Sequence, residues 1–176
     1  MTFDLTPEQR QLIADASSGT VPAGALDAVL VIEERVRLAG QSVAQFIDEE
    51  GDRMRARLLA AASALGIGRA AIANALEAMK ANRVVAGPDT TVPHWAVADG
   101  ATEVEAARLL TYAAAQALDR QEPAEHLIAR ALELASKAAQ HAVDAATRVA
   151  GPGALGNGAL LDRLSRDARM LTVILR

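Results

Sequence analysis

The chain has 176 residues, 51% of them hydrophobic and 23% charged, with a formal net charge of −4. That balance excludes a disordered segment and suits one folded unit with a core of its own. The absence of cysteine and of any basic surplus excludes disulfide staples, thiol catalysis and Cys-zinc sites, and leaves nothing to attract nucleic acid.

Alanine dominates the apolar share, while aromatics reach only 2%. Alanine is the best helix former, and small side chains let helices approach closely, whereas a sheet would want Val, Ile, Tyr and Phe. The predicted fold class is all-α.

In chain order, Thr6-Pro7-Glu8-Gln9 reads as a helix start. Thr6 caps, Pro7 suits the first helical position and Gln9 completes a capping box. Ser17 to Pro22 interrupts this short helix. A second helix is predicted from about Ala23 to Glu50, with Leu26, Val29, Leu30, Glu33, Val36 and Val43 as a mostly apolar stripe. After a break at Gly51-Asp52, a third spans about Arg53 to Asn82. Leu58, Leu59, Ala62, Leu65, Ile72, Leu76 and Met79 recur there at three- and four-residue spacing. Gly66 and Gly68 in its middle predict close packing against a neighbour.

Val84 to Pro93 reads as a loop turning at Gly87-Pro88-Asp89. Helix resumes between about His94 and Gly100 and runs to Asp119, with Val104, Ala107, Leu110, Ala114 and Leu118 facing inward. Gln121-Glu122-Pro123 starts the next, which reaches about Ala150 with Leu127, Ala131, Leu134, Ala138, Val143 and Val149 as its apolar positions. A Gly-rich loop over 151–158 leads through a cap at Asn157 into a last helix from about Ala159 to Ile174. Together these make an antiparallel four-helix bundle with extra N-terminal helices. The N-terminus lacks the pattern of a signal peptide, and no uninterrupted apolar run reaches the roughly 18 residues of a membrane span, so no membrane partner is expected. A reducing cytoplasm suits a chain without cysteine.

Four blocks of the sequence resemble the C-terminal helical bundle of the acyl-CoA dehydrogenase family. Arg57-Leu58-Leu59-Ala60-Ala61-Ala62-Ser63-Ala64-Leu65-Gly66-Ile67-Gly68-Arg69-Ala70-Ala71 resembles its first helix. Glu103 to Tyr112, with Ala117-Leu118-Asp119, resembles its second, and Ala135-Ser136-Lys137-Ala138-Ala139 its third. Leu161 to Arg169 resembles the stretch entering the final helices. The blocks stand in the family's order and cover about residues 52–172. Phe3 to Gln9 and Leu26 to Glu34 are similar to helices of the family's N-terminal domain. The resemblance implies residues 1–51 as a remnant of that domain and 52–176 as the bundle, with the middle β-domain missing.

The family forms a carbon–carbon double bond beside a thioester: a carboxylate removes the α-proton and hydride passes to flavin. The resemblance implies that the base is lost. The family's Tyr-Glu-Gly-Thr stretch does not follow Arg166-Asp167-Ala168-Arg169, where Met170 to Arg176 contain no glutamate. The other position the family uses, just ahead of Arg57, holds Ala56. The flavin elements are reduced to Arg83 and Gly87 of an Arg-x-x-Phe-Gly loop and to Gly151 and Gly153 of a Gly-rich segment. FAD is therefore expected only across an interface with a partner, not tightly bound by this chain alone.

Each remnant also has a plain structural reading. Arg83 suits a solvated helix end, Arg57 a charged helix start beside Arg53 and Arg55, and Gly151 and Gly153 a turn. Trp95 reads as a packing anchor, and His94 as an acid or base near neutral pH. His126 and His141 lie about 22 Å apart along one helix, so they cannot share a metal, and no metal site is expected.

The leading expectation is a degenerate family member acting by association, as a homodimer or as a heteromer with a full-length acyl-CoA dehydrogenase. The alternative is a flavin-independent enzyme for dehydration, isomerisation or cyclisation. Its pocket would hold Arg57, His94, Trp95 and Tyr112, with His94 as acid or base and Arg57 on an oxyanion.

Overall fold

A computed structural model describes residues 5–16, 21–39, 53–81, 91–151 and 159–174, and within them all regular structure is helical. The helices are α1 (Pro7–Ala14), α2 (Ala25–Ala39), α3 (Arg53–Ala81), α4 (Thr91–Asp119), α5 (Glu125–Ala150) and α6 (Leu160–Ile174).

The N-terminal capping box forms. The Gln9 amide donates to the Thr6 hydroxyl at 3.2 Å, and the Thr6 amide donates to Gln9 Oε1 at 3.0 Å. Two boundaries differ from the sequence expectation. The first turn of α4 begins at Thr91 inside the expected loop, because Pro93 is tolerated where amides have no intrahelical partner. The fifth helix begins at Glu125 rather than near Gln121. Gln121, with φ +57°, turns the chain off α4, and the Glu122 amide donates back to the Ala117 carbonyl at 2.9 Å. The cap expected at Asn157, like Val43, Gly51 and Gly87, lies outside the described residues.

Close contacts set the directions of the helices. Gly68 of α3 meets Val104 of α4, and Gly100 meets Ile72, so α3 and α4 run antiparallel. Gly100 also meets Ala142, and Glu103 bonds His141, so α4 and α5 are antiparallel too. With α6 packed on α5 and α3, these helices form the antiparallel four-helix bundle.

The second helix lies parallel to α3. Arg55 donates to the carbonyls of Pro22 and Ala23 at one end, and Arg69 reaches Glu33 and Glu34 further along. The start of α2 is capped from a distance, with the amides of Ala25 and Leu26 donating to the Asp119 carboxylate at 2.7 and 3.0 Å. An Asp119→Ala variant is expected to lose about 1–2 kcal/mol. Urea denaturation checks this, and an unchanged midpoint would refute the cap's importance.

The covering helix changes the character of α3. From Leu58 to Gly68 every residue is buried, because α2 shields the face that a one-sided stripe would leave wet. Leu76, expected in that stripe, is 45% exposed beyond the cover. By length and composition α3 could cross a membrane, at mean hydropathy 1.4, but 78% of its apolar window is buried in the bundle. Its apolarity answers to packing on several sides. Gly66 and Gly68 sit at close crossings, as their positions predict. A Cβ on Gly66 would stand 2.5 Å from the Glu33 carbonyl oxygen, and one on Gly68 2.7 Å from Val104 Cγ2.

Candidate functional site

The apolar face of α2 carries one carboxylate, Glu33, one turn from both Leu30 and Val36. It is 1% exposed. Burying a charge without partners costs several kcal/mol, so its surroundings must satisfy it. Arg69 Nη1 of α3 donates to Oε1 at 2.6 Å, and the Tyr112 hydroxyl of α4 donates to Oε2 at 2.7 Å. Arg108 Nε lies 3.3 Å from Oε1 and donates to the Tyr112 oxygen at 2.9 Å. Its guanidinium also sits over the Tyr112 ring, 5.2 Å from the centroid, in the cation–π range.

The neighbouring Glu34 is held by Arg37, whose Nε donates to Oε2 at 2.8 Å and whose Nη2 donates to Oε1. Arg69 Nη1 stands 3.4 Å from the same Oε2. At the rim, Arg108 Nη1 donates to Glu105 at 3.3 Å. The cluster thus joins three arginines to three glutamates and one phenol across α2, α3 and α4.

The electrostatics follow from these contacts. The hydrogen bond from Arg37 holds the Glu34 carboxyl below its ordinary range, against burial, which pushes it up. Burial raises the Tyr112 phenol far above its usual value, and the nearby Glu33 carboxylate adds to the effect, so Tyr112 stays a proton donor. Burial pulls the Arg108 guanidinium down, but Glu33, Tyr112 and Glu105 together outweigh it and keep the group charged. A carboxylate with both oxygens so engaged is a fastening, not a base open to substrate.

Sequence reasoning missed the cluster, although Glu33 stood in the predicted apolar stripe. A carboxylate at an inward position is the signal, since it demands partners from the helices it faces.

The residues singled out from sequence do not assemble. Tyr112 is buried in the cluster, held by Glu33 and Arg108 rather than by Arg57. Arg57 is half-buried early in α3, one residue after the half-buried Ala56. His94 is exposed near the start of α4, 18 residues before Tyr112, which places it about 27 Å away along the helix axis. The pocket expected for a flavin-independent enzyme is therefore not formed. Trp95 is no packing anchor either. It is 66% exposed, because it precedes Val97, the first buried position described in α4.

Gly151 ends α5 at φ +80°, its amide donating to the Thr147 carbonyl at 2.9 Å, and open space surrounds the place of a Cβ. It acts as a left-handed helix stop. Arg83, Gly87 and Gly153 lie outside the described residues. His141 Nδ1 lies 2.7 Å from Glu103 Oε2 on the exposed α4–α5 surface. Among the described residues no three His, Cys, Asp or Glu side chains gather at metal-binding range.

Comparison with known proteins supplies a frame for this geometry. Residues 33–174 match the family described as acyl-CoA dehydrogenase, C-terminal domain, a stretch that begins at Glu33 within α2. Among solved structures, butyryl-CoA dehydrogenase from Megasphaera elsdenii is similar at 29% identity and a TM-score of 0.62, over 69% of this chain and 32% of that one. A chain from work on the electron transferring flavoprotein of Acidaminococcus fermentans, directed at flavin-based electron bifurcation, is similar in fold. It has 23% identity and a TM-score of 0.63, over 85% of this chain and 34% of that one. This chain thus spans about a third of the length of these structures. No curated protein sequence matches it.

Proposed function

Since the chain belongs to the acyl-CoA dehydrogenase family through its C-terminal helical domain, we propose that it is a non-dehydrogenating member that works by association. It acts as a homodimer, or as the helical partner of a full-length flavin-dependent acyl-CoA dehydrogenase, in the cytoplasm. Residues 1–51 serve as the remnant of the N-terminal domain and 52–176 as the associating bundle.

One observation carries this reading. Glu33, the carboxylate the bundle buries most deeply, has both oxygens committed to Arg69 and Tyr112 with Arg108 close by, so it is unavailable to take an α-proton from a thioester. Ala56, at the position ahead of Arg57, offers no proton acceptor. Exposed Trp95 and Leu109 on α4 and Leu160 on α6 supply apolar surface suited to burial against another chain. On this reading flavin enters only at a shared interface, with Arg83, Gly87, Gly151 and Gly153 as the family remnants that the sequence retains.

Size-exclusion chromatography with light scattering tests this, on the chain alone and mixed with a full-length flavin-dependent family member. The expected result is a dimer mass or a stable mixed complex, from a colourless chain that leaves acyl-CoA unchanged. A monomer that joins no complex, or a yellow preparation that desaturates acyl-CoA unaided, overturns it.

A further inference from the structure

The outer faces of α4 and α5 differ in kind. On α5 the exposed side chains include a run of charges, Arg130, Glu133, Lys137, Asp144 and Arg148, as suits a helix face left in water. On α4, Trp95, Ala98, Thr102, Ala106 and Leu109 recur at three- and four-residue spacing and are exposed, and Ala113 and Gln116 continue the series half-buried. At about 3.6 residues per turn these positions fall within about 40° of one line along the helix, and none of them carries a charge.

Among the described residues no helix covers this stripe. The helices that contact α4, which are α2, α3 and α5, meet its buried side. Trp95 is 66% exposed and Leu109 42%. A single exposed apolar residue needs no account, but an uncharged stripe about 32 Å long does.

The stripe is complementary to its own reverse. In an antiparallel pair with the two-fold axis between Glu105 and Ala106, Trp95 of one copy stands opposite Gln116 of the other and close to the small Ala113. Leu109 stands opposite Thr102, and Ala98 opposite Ala113, so large side chains meet small ones. Ala106, at the axis, lets the two backbones approach closely. The edge of the stripe agrees in charge. The Glu105 side chain is 57% exposed, and its bonds from Arg108 are 3.3 Å long. Antiparallel pairing sets Glu105 of each copy beside Arg108 of the other, two negative charges to two positive. With the side chains of both stripes covered, the pair hides on the order of 1,000 Å² in all, the size at which a specific interface begins.

We propose that the outer face of α4 is the docking surface for a second copy of this chain, packed antiparallel, stripe on stripe, about a two-fold axis between Glu105 and Ala106. Such a contact is isologous and closes at two copies. The proposal rests on the association reading above and names its surface and its occupant.

The chain has no cysteine, so a single introduced thiol reports on one position. Ala106→Cys and, on α5, Lys137→Cys are oxidised with copper phenanthroline in the full chain. Ala106→Cys is expected to be trapped as a disulfide-linked dimer at least about tenfold faster, because only near the axis do like positions come within the roughly 4.4–6.8 Å between Cα atoms that a disulfide spans. Light scattering over a dilution series gives a second reading. Ala106→Arg places two like charges at the axis and should weaken dimerisation at least about tenfold, while Ala129→Arg, exposed on α5, leaves it unchanged. Circular dichroism checks that both arginine variants keep their helix content. Equal trapping at 106 and 137, or an Ala106→Arg dimer as tight as the unmodified one, overturns the α4 surface while the dimer itself upholds the association reading. A chain that is monomeric at every concentration overturns the proposal as well, and whether it then joins a full-length family member decides if the association reading survives.

Discussion

Replacing Glu33 by alanine is expected to destabilise the chain by about 3 kcal/mol, because it strips two arginines of the carboxylate that compensates them. Breaking a buried ion pair from one side typically costs roughly 3–5 kcal/mol. The lower end applies here, since the Arg69 and Arg108 side chains are 29% and 25% exposed and can turn partly toward water. Glu34 and Glu105 also stand close enough to share them. For a chain of this length the loss corresponds to a fall in melting temperature of roughly 6–12 °C. Tyr112→Phe keeps the charges and removes one donor, so its cost should be near 1 kcal/mol. Thermal denaturation of both variants separates the two contributions. A Glu33→Ala protein melting within about 2 °C of the unmodified chain would show that the cluster does not fasten α2.

Gly66→Ala should destabilise the protein by about 2 kcal/mol, although alanine in place of a helical glycine ordinarily gains close to 1 kcal/mol. The sign is decided by what the new methyl meets. It would lie 2.5 Å from the Glu33 carbonyl oxygen and 2.7 Å from Val36 Cβ, so the backbone of α2 must retreat. That retreat also moves the Glu33 side chain away from Arg69, and the two losses add. Gly100→Ala provides the contrast, its nearest neighbour, Ala142 Cα, standing at 3.4 Å, an ordinary contact distance, so the change should keep the usual gain of up to about 1 kcal/mol. Urea denaturation of the pair reads the difference. Equal midpoints would mean that α2 and α3 can part at no cost.

These variants bear on function through the position of α2. This helix supplies Glu33, Glu34 and Arg37 to the cluster. Anything that lifts α2 from α3 therefore parts the cluster and uncovers the buried face of α3 together. An Arg37→Gln variant removes the main partner of Glu34 from the cluster and leaves the contacts of Glu33 in place.

The family was readable because helical blocks in a fixed order leave their mark on spacing and composition. The catalytic alternative was equally readable as a set of residue types, yet His94 and Tyr112 occupy distant parts of one helix. Arg57 and Tyr112 have side chains suited to such a site, but Tyr112 takes partners from α2 and from its own helix. No local pattern tells a phenol which of several charged groups it will meet.

The sequence by itself determined which segments are helical, where Thr6 starts the first of them, and that Gly66 and Gly68 mark close crossings. These follow from propensity, capping and periodicity, which act within a few residues. Tertiary structure alone decided that α3 would be covered on several sides, that Trp95 would face solvent, and that Glu33 would meet Arg69 and Tyr112. Those partners lie 36 and 79 residues away in sequence. A buried carboxylate must find donors, but only the packing of α2 against α3 and α4 selects which ones come within hydrogen-bonding reach.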